Sequence, residues 1–249
     1  MLNDIKTILF DLDGTIYYGD KPIPGAIDVI NYLKHKNYKI LFLTNTSYKK
    51  RETIFKKLNS MGVQCDIDQI YTSGYVTALY VKKNHISNPY IFGSEELKEE
   101  FIQMGIPIMN EENAHNLIIG FHPNSTFEEL SISIRVALKS IQIIAANIDR
   151  TFPSHNGLIM PGAGAIVKAI EYSSNRTVDV IVGKPNPLII DFIIQENKLN
   201  RSELVMIGDN YESDIVMSNN AKISSIYISN NQNIHSLTID SISTLLTLL

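Results

Sequence analysis

Four short apolar runs along the chain break off abruptly into polar residues. They are Ile8-Leu9-Phe10 before Asp11, Ile40-Leu41-Phe42-Leu43 before Thr44-Asn45, Leu204-Val205-Met206-Ile207 before Gly208-Asp209, and Ile226-Tyr227-Ile228 before Ser229-Asn230. Such brief, nearly unbroken hydrophobic stretches suit strands covered on both faces, as in a parallel sheet. Helical spacing fills the intervals between them. Ile27, Ile30, Leu33 and Lys34 follow Pro24-Gly25, and Ile54, Leu58 and Met61 precede Gly62, which suits a helix C-cap. Asn186-Pro187 predicts a further helix start, with Asn as the cap and Pro at the first helical position, where its missing N–H costs nothing. Strands alternating with helices predict an α/β protein with a doubly wound parallel-sheet core. In such sheets ligands collect at the carboxyl ends of the strands, where Asp11, Thr44 and Asp209 fall.

The middle of the chain repeats the rhythm on its own. Tyr90-Ile91-Phe92 precedes a helical stretch from Glu95 to Met104, and Leu117-Ile118-Ile119 precedes Thr126-Phe127-Glu128-Glu129, a capping-box pattern opening a helix through Ala137. Ile143-Ile144-Ala145 then leads into a predicted loop from Asn147 to Gly157, and a last helix is expected from about Ala163 to Tyr172. This stretch reads as a second α/β unit inserted into the first. The expected division is a core of residues 1–79 and 180–249 and an inserted domain of residues 80–179.

Length and charge narrow the classes of function. At 249 residues the chain has room for one large α/β domain or two smaller ones. A formal net charge of −4 argues against a nucleic-acid binder, which would normally carry the opposite sign. No apolar run approaches the roughly 20 residues of a membrane span, and the Met1-Leu2-Asn3-Asp4 start lacks the basic and apolar regions of a signal peptide. Cys65 is the only cysteine, so no intramolecular disulfide or thiolate cluster can form. The expectation is a cytoplasmic protein with no nucleic-acid or membrane partner.

Candidate chemistry gathers where the apolar runs end. Asp11-Leu12-Asp13-Gly14-Thr15 places two carboxylates one residue apart, and Gly14 permits the turn that would aim both at one site. Two adjacent acids repel unless a cation or a shared proton compensates. Asp209, followed by Asn210 and by Asp214 five residues on, closes a second acidic cluster after another strand. If these strands are neighbours, Asp11, Asp13 and Asp209 form an oxygen-rich nest suited to Mg²⁺, with Asp214 supporting a water or a lysine from behind. Thr44-Asn45 offers a hydroxyl and amide groups to an oxyanion, and Gly183-Lys184-Pro185 an ammonium ahead of a helix. Each motif alone has a plainer reading: an acidic turn, a helix cap, a solvated lysine. Their order, each at a predicted strand end, is far more specific.

That order resembles the haloacid dehalogenase-like (HAD) superfamily of phosphohydrolases. Phe10-Asp11-Leu12-Asp13-Gly14-Thr15-Ile16-Tyr17-Tyr18-Gly19 with Pro22-Ile23-Pro24-Gly25-Ala26 is similar to the NagD-like, or 4-nitrophenylphosphatase-like, branch. Leu43-Thr44-Asn45, Ala146-Asn147-Ile148-Asp149, Pro161-Gly162-Ala163-Gly164, Val182-Gly183-Lys184-Pro185, Gly208-Asp209 and Ser213-Asp214-Ile215 extend the similarity over nearly the whole chain. The resemblance implies a Rossmann-like core with a large α/β cap inserted between the Thr44 and Lys184 motifs. It implies a Mg²⁺-dependent phosphatase acting on a small phosphorylated metabolite such as a nucleotide, a sugar phosphate or pyridoxal phosphate, and a homo-oligomer formed through the cap. Asp11 would then be the nucleophile and Asp13 the acid/base, with Thr44, Asn45 and Lys184 on the phosphoryl oxygens. The metal would be held by Asp11, the carbonyl of Asp13 and Asp209, and supported by Asp214.

Several positions depart from the branch's pattern. Thr46 stands where a second Asn is common, Asn210 where Arg is frequent, and Glu212-Ser213 for a typical Asp-Thr. Phe121-His122-Pro123-Asn124 replaces a segment that usually carries an Asp, and glycines are missing near the final strand, around Asn220 and Asn230. None removes a residue from the implied mechanism, but they leave the leaving group open. His155, in the Asn147–Gly157 loop, is a candidate substrate contact; the other histidines lack ligand-like spacing. Two other functions share the pattern. A phosphomutase or phosphotransferase would use the same Asp pair, and a receiver-type switch would be phosphorylated without turnover. The acid at Asp13 and the inserted unit argue against the switch.

Overall fold

The computed structural model describes residues 4–153, 158–231 and 237–248. The chain divides into two compact units: Met1–Thr44, Glu52–Tyr71 and Lys184–Leu249 form one, Asn45–Arg51 and Thr72–Gly183 the other.

The first unit is built on a six-stranded sheet in the order Thr238–Ile239, Ser224–Ile228, Leu204–Gly208, Thr7–Phe10, Lys39–Thr44, Ile70–Thr72. Thr7–Phe10 lies at its centre, paired in parallel with Leu204–Gly208 on one side and Lys39–Thr44 on the other. Leu204–Gly208 and Ser224–Ile228 are also parallel neighbours. The unbroken apolar runs follow from burial on both faces: Ile8, Leu9 and Phe10 are all fully buried. Ile8, Phe10, Phe42, Val205 and Ile207 share a core with Val29, Ile30 and Leu33 of helix Ala26–His35 and with Ile54 and Leu58 of helix Arg51–Ser60. The second helix closes at Gly62, whose φ of 91° suits glycine. Its N–H bonds to the Asn59 carbonyl and that of Val63 to Leu58, a Schellman ending. Helix Leu188–Asn197 begins one residue later than expected. The Asn186 side chain accepts the Leu188 N–H at 3.0 Å, so Pro187 occupies the cap position.

The second unit has its own four-stranded parallel sheet, in the order Val180–Ile181, Gln142–Ala145, Asn116–Ile119, Pro89–Phe92. Leu117, Ile119 and Ile143 pack with Val136 of helix Phe127–Lys139 and with Val167 and Ile170 of helix Ala163–Ser174. The capping box at Thr126 is complete. The Thr126 hydroxyl accepts the Glu129 N–H and the Glu129 carboxylate accepts the Thr126 N–H. Several elements were not anticipated, among them the strands Ile70–Thr72 and Thr238–Ile239. Helix Ser73–Lys83 follows the edge strand of the first sheet, and Thr151–Pro153 pairs antiparallel with Ile159–Pro161 inside and beyond the expected loop. Doubly wound core and inserted α/β unit are the architecture the sequence pattern implied. No helix among the described residues is long and apolar enough to cross a membrane.

Candidate active site

Asp11 is the first residue past the central strand. Its N–H still bonds to the Ile207 carbonyl at 2.9 Å, so the ladder fixes its backbone while its side chain leaves the sheet. The carboxylate is buried and accepts a hydrogen bond from Lys184 Nζ at 2.5 Å. The same ammonium donates to Asp214 Oδ1 at 2.6 Å. Lys184 is 2% exposed and Asp214 fully buried, so this is an interior chain of charges, carboxylate–ammonium–carboxylate. Asp214 is held by its own turn: its Oδ2 accepts the Asn210 N–H at 3.1 Å. Asn210, not Asp214, caps that turn, its side chain accepting the Ser213 N–H at 3.1 Å.

Asp209 follows the neighbouring strand, Leu204–Gly208, and accepts the Thr15 hydroxyl at 3.1 Å. One carboxylate oxygen each from Asp11, Asp209 and Asp214 lies within 4.8 Å of the others. Two glycines make room for this crowding. A Cβ on Gly14, whose φ is 90°, would lie 2.1 Å from Asp209 Oδ2, and one on Gly208 would lie 2.2 Å from Asp214 Oδ2. Any side chain at either position would displace a carboxylate.

Three carboxylates gather around one ammonium, and the electrostatics of Asp11, Asp209 and Lys184 reflect the imbalance. Burial raises the Asp11 carboxyl well above its ordinary range, and Asp214 and Asp209 add to the rise against the pull of Lys184. Burial followed by the charge on Asp214 pushes Asp209 up to about 6. Burial works against the Lys184 ammonium, yet Asp11 and Asp214 outweigh it and hold the group above its usual value. Acids raised beside a base also raised mean surplus negative charge in a space short of water. A hard divalent cation removes that surplus, and a donor set of carboxylate oxygens without thiolate or imidazole fits Mg²⁺.

The remaining sequence-predicted residues are placed as follows. Asp13 is exposed and forms an isolated bridge to Tyr17 as the chain turns back through Gly14. Thr44 is buried at the end of its strand. Asn45 belongs to the second unit, where its Nδ2 donates to Asp149 Oδ1 at 2.8 Å. His155 lies outside the described residues. Two contacts carried no assigned role in the sequence, Thr15 on Asp209 and Asp149 on Asn45. Both residues lie within quoted motifs, but neither pairing is visible without the fold.

Comparison with known proteins gives the family. Residues 8–107 match the family model described as haloacid dehalogenase-like hydrolase, and residues 181–237 a HAD-hydrolase-like model. The sugar-phosphatase AraL of Bacillus subtilis is 35% identical over 209 residues, covering 83% of this chain and 76% of that protein. An acid sugar phosphatase of Staphylococcus haemolyticus is 32% identical over 214 residues, covering 86% and 81%. A solved structure assigned as a nagD protein superposes with a TM-score of 0.94 at 31% identity over the full length of both chains. The 4-nitrophenylphosphatase of Thermotoga maritima gives 0.92 at 31% identity over 99% of this chain and 98% of that one. With buried charges at the strand ends and relatives alike over most of their length, this chain belongs to the haloacid dehalogenase-like hydrolases, in the NagD-like, 4-nitrophenylphosphatase-like branch, and is a phosphatase.

Proposed function

We propose that the enzyme hydrolyses small phosphomonoesters, sugar phosphates foremost, through an aspartyl-phosphate on Asp11 and with Mg²⁺ bound. The observation that carries this reading is the buried Asp11–Lys184–Asp214 chain beside Asp209 at the ends of adjacent parallel strands. Sugar phosphates come first because two of the similar proteins are named for them.

Asp11 supplies a carboxylate oxygen that attacks phosphorus while the bond to the ester oxygen breaks. Asp13, on the exposed side of the turn, gives its proton to that leaving oxygen and releases the alcohol. Asp13 then takes a proton from water as the water attacks phosphorus, the acyl-phosphate bond breaks, and inorganic phosphate and the Asp11 carboxylate are regenerated. Lys184, positioned by Asp214, places its positive charge on the phosphoryl oxygens, with Thr44 and Asn45 as further donors. Asp11, Asp209 and the Asp13 carbonyl would hold Mg²⁺, which supplies charge neutralisation to the phosphoryl group when bound. Residues 80–179, the greater part of the second unit, act as the cap that selects the leaving group.

The test is release of 4-nitrophenol from 4-nitrophenyl phosphate with Mg²⁺, repeated with EDTA and with Asp11→Asn. Turnover that survives both controls would overturn the site. A panel of sugar phosphates, nucleotides and pyridoxal phosphate read by released phosphate tests the substrate class. Faster turnover of a non-sugar ester would remove sugar phosphates from first place.

A further inference from the structure

The segment that follows Thr44 is fastened inside the second unit by partners far away in sequence. Asn147, 3% exposed, donates from Nδ2 to the Asn45 carbonyl at 2.6 Å and to Ser47 Oγ at 3.0 Å. The Ser73 hydroxyl donates to the same carbonyl at 2.7 Å, the Phe121 N–H to Ser47 Oγ at 3.0 Å, and the Arg51 N–H to the buried Glu100 carboxylate at 2.9 Å.

Within this frame the Asn45 amide is specified at both ends. Its nitrogen donates to Asp149 Oδ1 at 2.8 Å. Its oxygen faces Gly183, where a Cβ would lie 2.6 Å from Asn45 Oδ1. Asp149 is itself anchored. Its N–H donates to Asn147 Oδ1 at 3.2 Å and its carbonyl accepts the Gly164 N–H at 2.9 Å, where helix Ala163–Ser174 begins. The glycines of that helix start are required by the approach: a Cβ on Gly162 would meet the Asp149 carbonyl oxygen at 2.3 Å, and one on Gly164 the Ile148 carbonyl oxygen at 2.4 Å.

We infer that Asp149 is a positioning residue that orients the Asn45 amide as a phosphate donor, with Asn147 holding its backbone and Gly183 leaving room for its oxygen end. This rests on the reading of Asn45 as a phosphate-binding residue. An unrestrained primary amide turns about a broad, two-fold terminal torsion and presents oxygen as readily as nitrogen. Oxygen turned toward a phosphate repels it. An ionised carboxylate can only accept, so Asp149 selects the nitrogen end and fixes the plane in which the second N–H of that group lies. The donor is then set before substrate arrives, which is what makes a hydrogen bond effective on a developing charge.

The experiment is a double-mutant cycle on 4-nitrophenyl phosphate hydrolysis with Mg²⁺, using Asn45→Ala, Asp149→Ala, Asp149→Asn and the Asn45→Ala/Asp149→Ala pair. Loss of Asn45 is expected to lower kcat/KM by about 100-fold, mostly in kcat. Asp149→Ala is expected to lower it by about 10-fold, Asp149→Asn to recover most of that because it keeps an acceptor oxygen, and the double variant to be no slower than Asn45→Ala. If Asn45→Ala turns over normally, Asn45 is not a phosphate donor, and that reading falls together with the inference. If Asn45→Ala is slow but Asp149→Ala is not, or the two losses multiply in the double variant, the inference alone falls. Should Asp149→Ala fail to fold, Asp149→Asn alone and combined with Asn45→Ala makes the same decision: its deficit must vanish in the Asn45→Ala background.

Discussion

In the first unit the strands Thr7–Phe10 and Leu204–Gly208 run out into Asp11 and Asp209, and the space beyond them holds a buried lysine and a third carboxylate. In the second unit, Pro89–Phe92, Asn116–Ile119 and Gln142–Ala145 run out into Gly93-Ser94, Gly120-Phe121 and Ala146-Asn147. The polar side chains there, Ser94 and Asn147, donate to backbone carbonyls. Both sheets bury apolar strands under helices, so packing alone does not tell them apart. The residue after each strand does. Interior charge at the first set of ends is costly unless matched, and the match is incomplete with three acids on one ammonium. Neutral hydrogen bonds at the second set leave nothing to compensate. The first unit thus concentrates unmatched interior charge at its strand ends, whereas the strand ends of the second unit carry neutral hydrogen bonds.

The comparison breaks most visibly at Asp11. Asp11→Asn keeps the shape of the side chain and removes the nucleophile, and kcat is expected to fall by about 10⁴-fold or more. Circular dichroism should remain that of the native protein, because a neutral amide relieves the surplus negative charge. A variant that both unfolds and retains turnover per folded molecule would contradict the assignment.

Asp214→Ala tests the buried chain as structure. It removes one carboxylate partner of Lys184 and the acceptor of the Asn210 N–H, a loss of about 3–5 kcal/mol of the kind seen when one partner of an interior ion pair is removed. Hydrogen exchange should lose protection in peptides spanning 7–10 and 204–208, with 116–119 and 142–145 spared. Uniform loss across both sheets would mean that the charges are not a property of the first unit.

Much of this contrast was legible in the chain. The four runs that predicted strands are the central strands of the first sheet, because parallel strands covered on both faces need continuous hydrophobicity. The abrupt polar residue after each run marked the strand end to within one residue. What stayed hidden is long-range or irregular. Lys184 reaches Asp11 across 173 residues and Asn45 reaches Asp149 across 104, separations no local pattern encodes. Helix Ser73–Lys83 buries Ser73, Gly74 and Thr77 alongside Val76, Ala78 and Val81, so its apolar stripe is diluted. Thr151–Pro153 is too short for its alternation to register. The cap at Asn186 moved by one residue because an Asn side chain can satisfy an N–H two residues on as well as three.

In the second unit the corresponding polar deletion is Asn147→Ala. The Asn45 carbonyl keeps Ser73 as a donor and Ser47 keeps Phe121, so the loss should be about 1–3 kcal/mol, below that of Asp214→Ala. Chemical unfolding of the two variants side by side ranks them. An Asn147→Ala protein less stable than Asp214→Ala would reverse the assignment of the costlier network.

The smallest expected effect lies at the exposed rim of the second unit, at the Thr126 helix start, where Glu129 also lies 3.6 Å from the His122 ring nitrogen. The Glu129 carboxyl is held below its ordinary range, first by the Thr126 N–H it accepts at 2.7 Å, with burial opposing and the Thr126 hydroxyl assisting. A carboxyl depressed in the folded state contributes stability that is present above its unfolded value near 4.3 and is lost as the pH falls through the lower folded value. Because the side chain is about one-third exposed, with a relative accessibility of 33%, the contribution is discounted to about 0.5 kcal/mol. Glu129→Gln retains an acceptor for the Thr126 N–H and removes the charge. Its thermal midpoint should lie slightly below that of the unsubstituted protein at pH 7 and meet it near pH 3. A gap that stayed constant from pH 7 to pH 3 would show that the capping box works through shape alone and that the Glu129 charge adds nothing to this helix start.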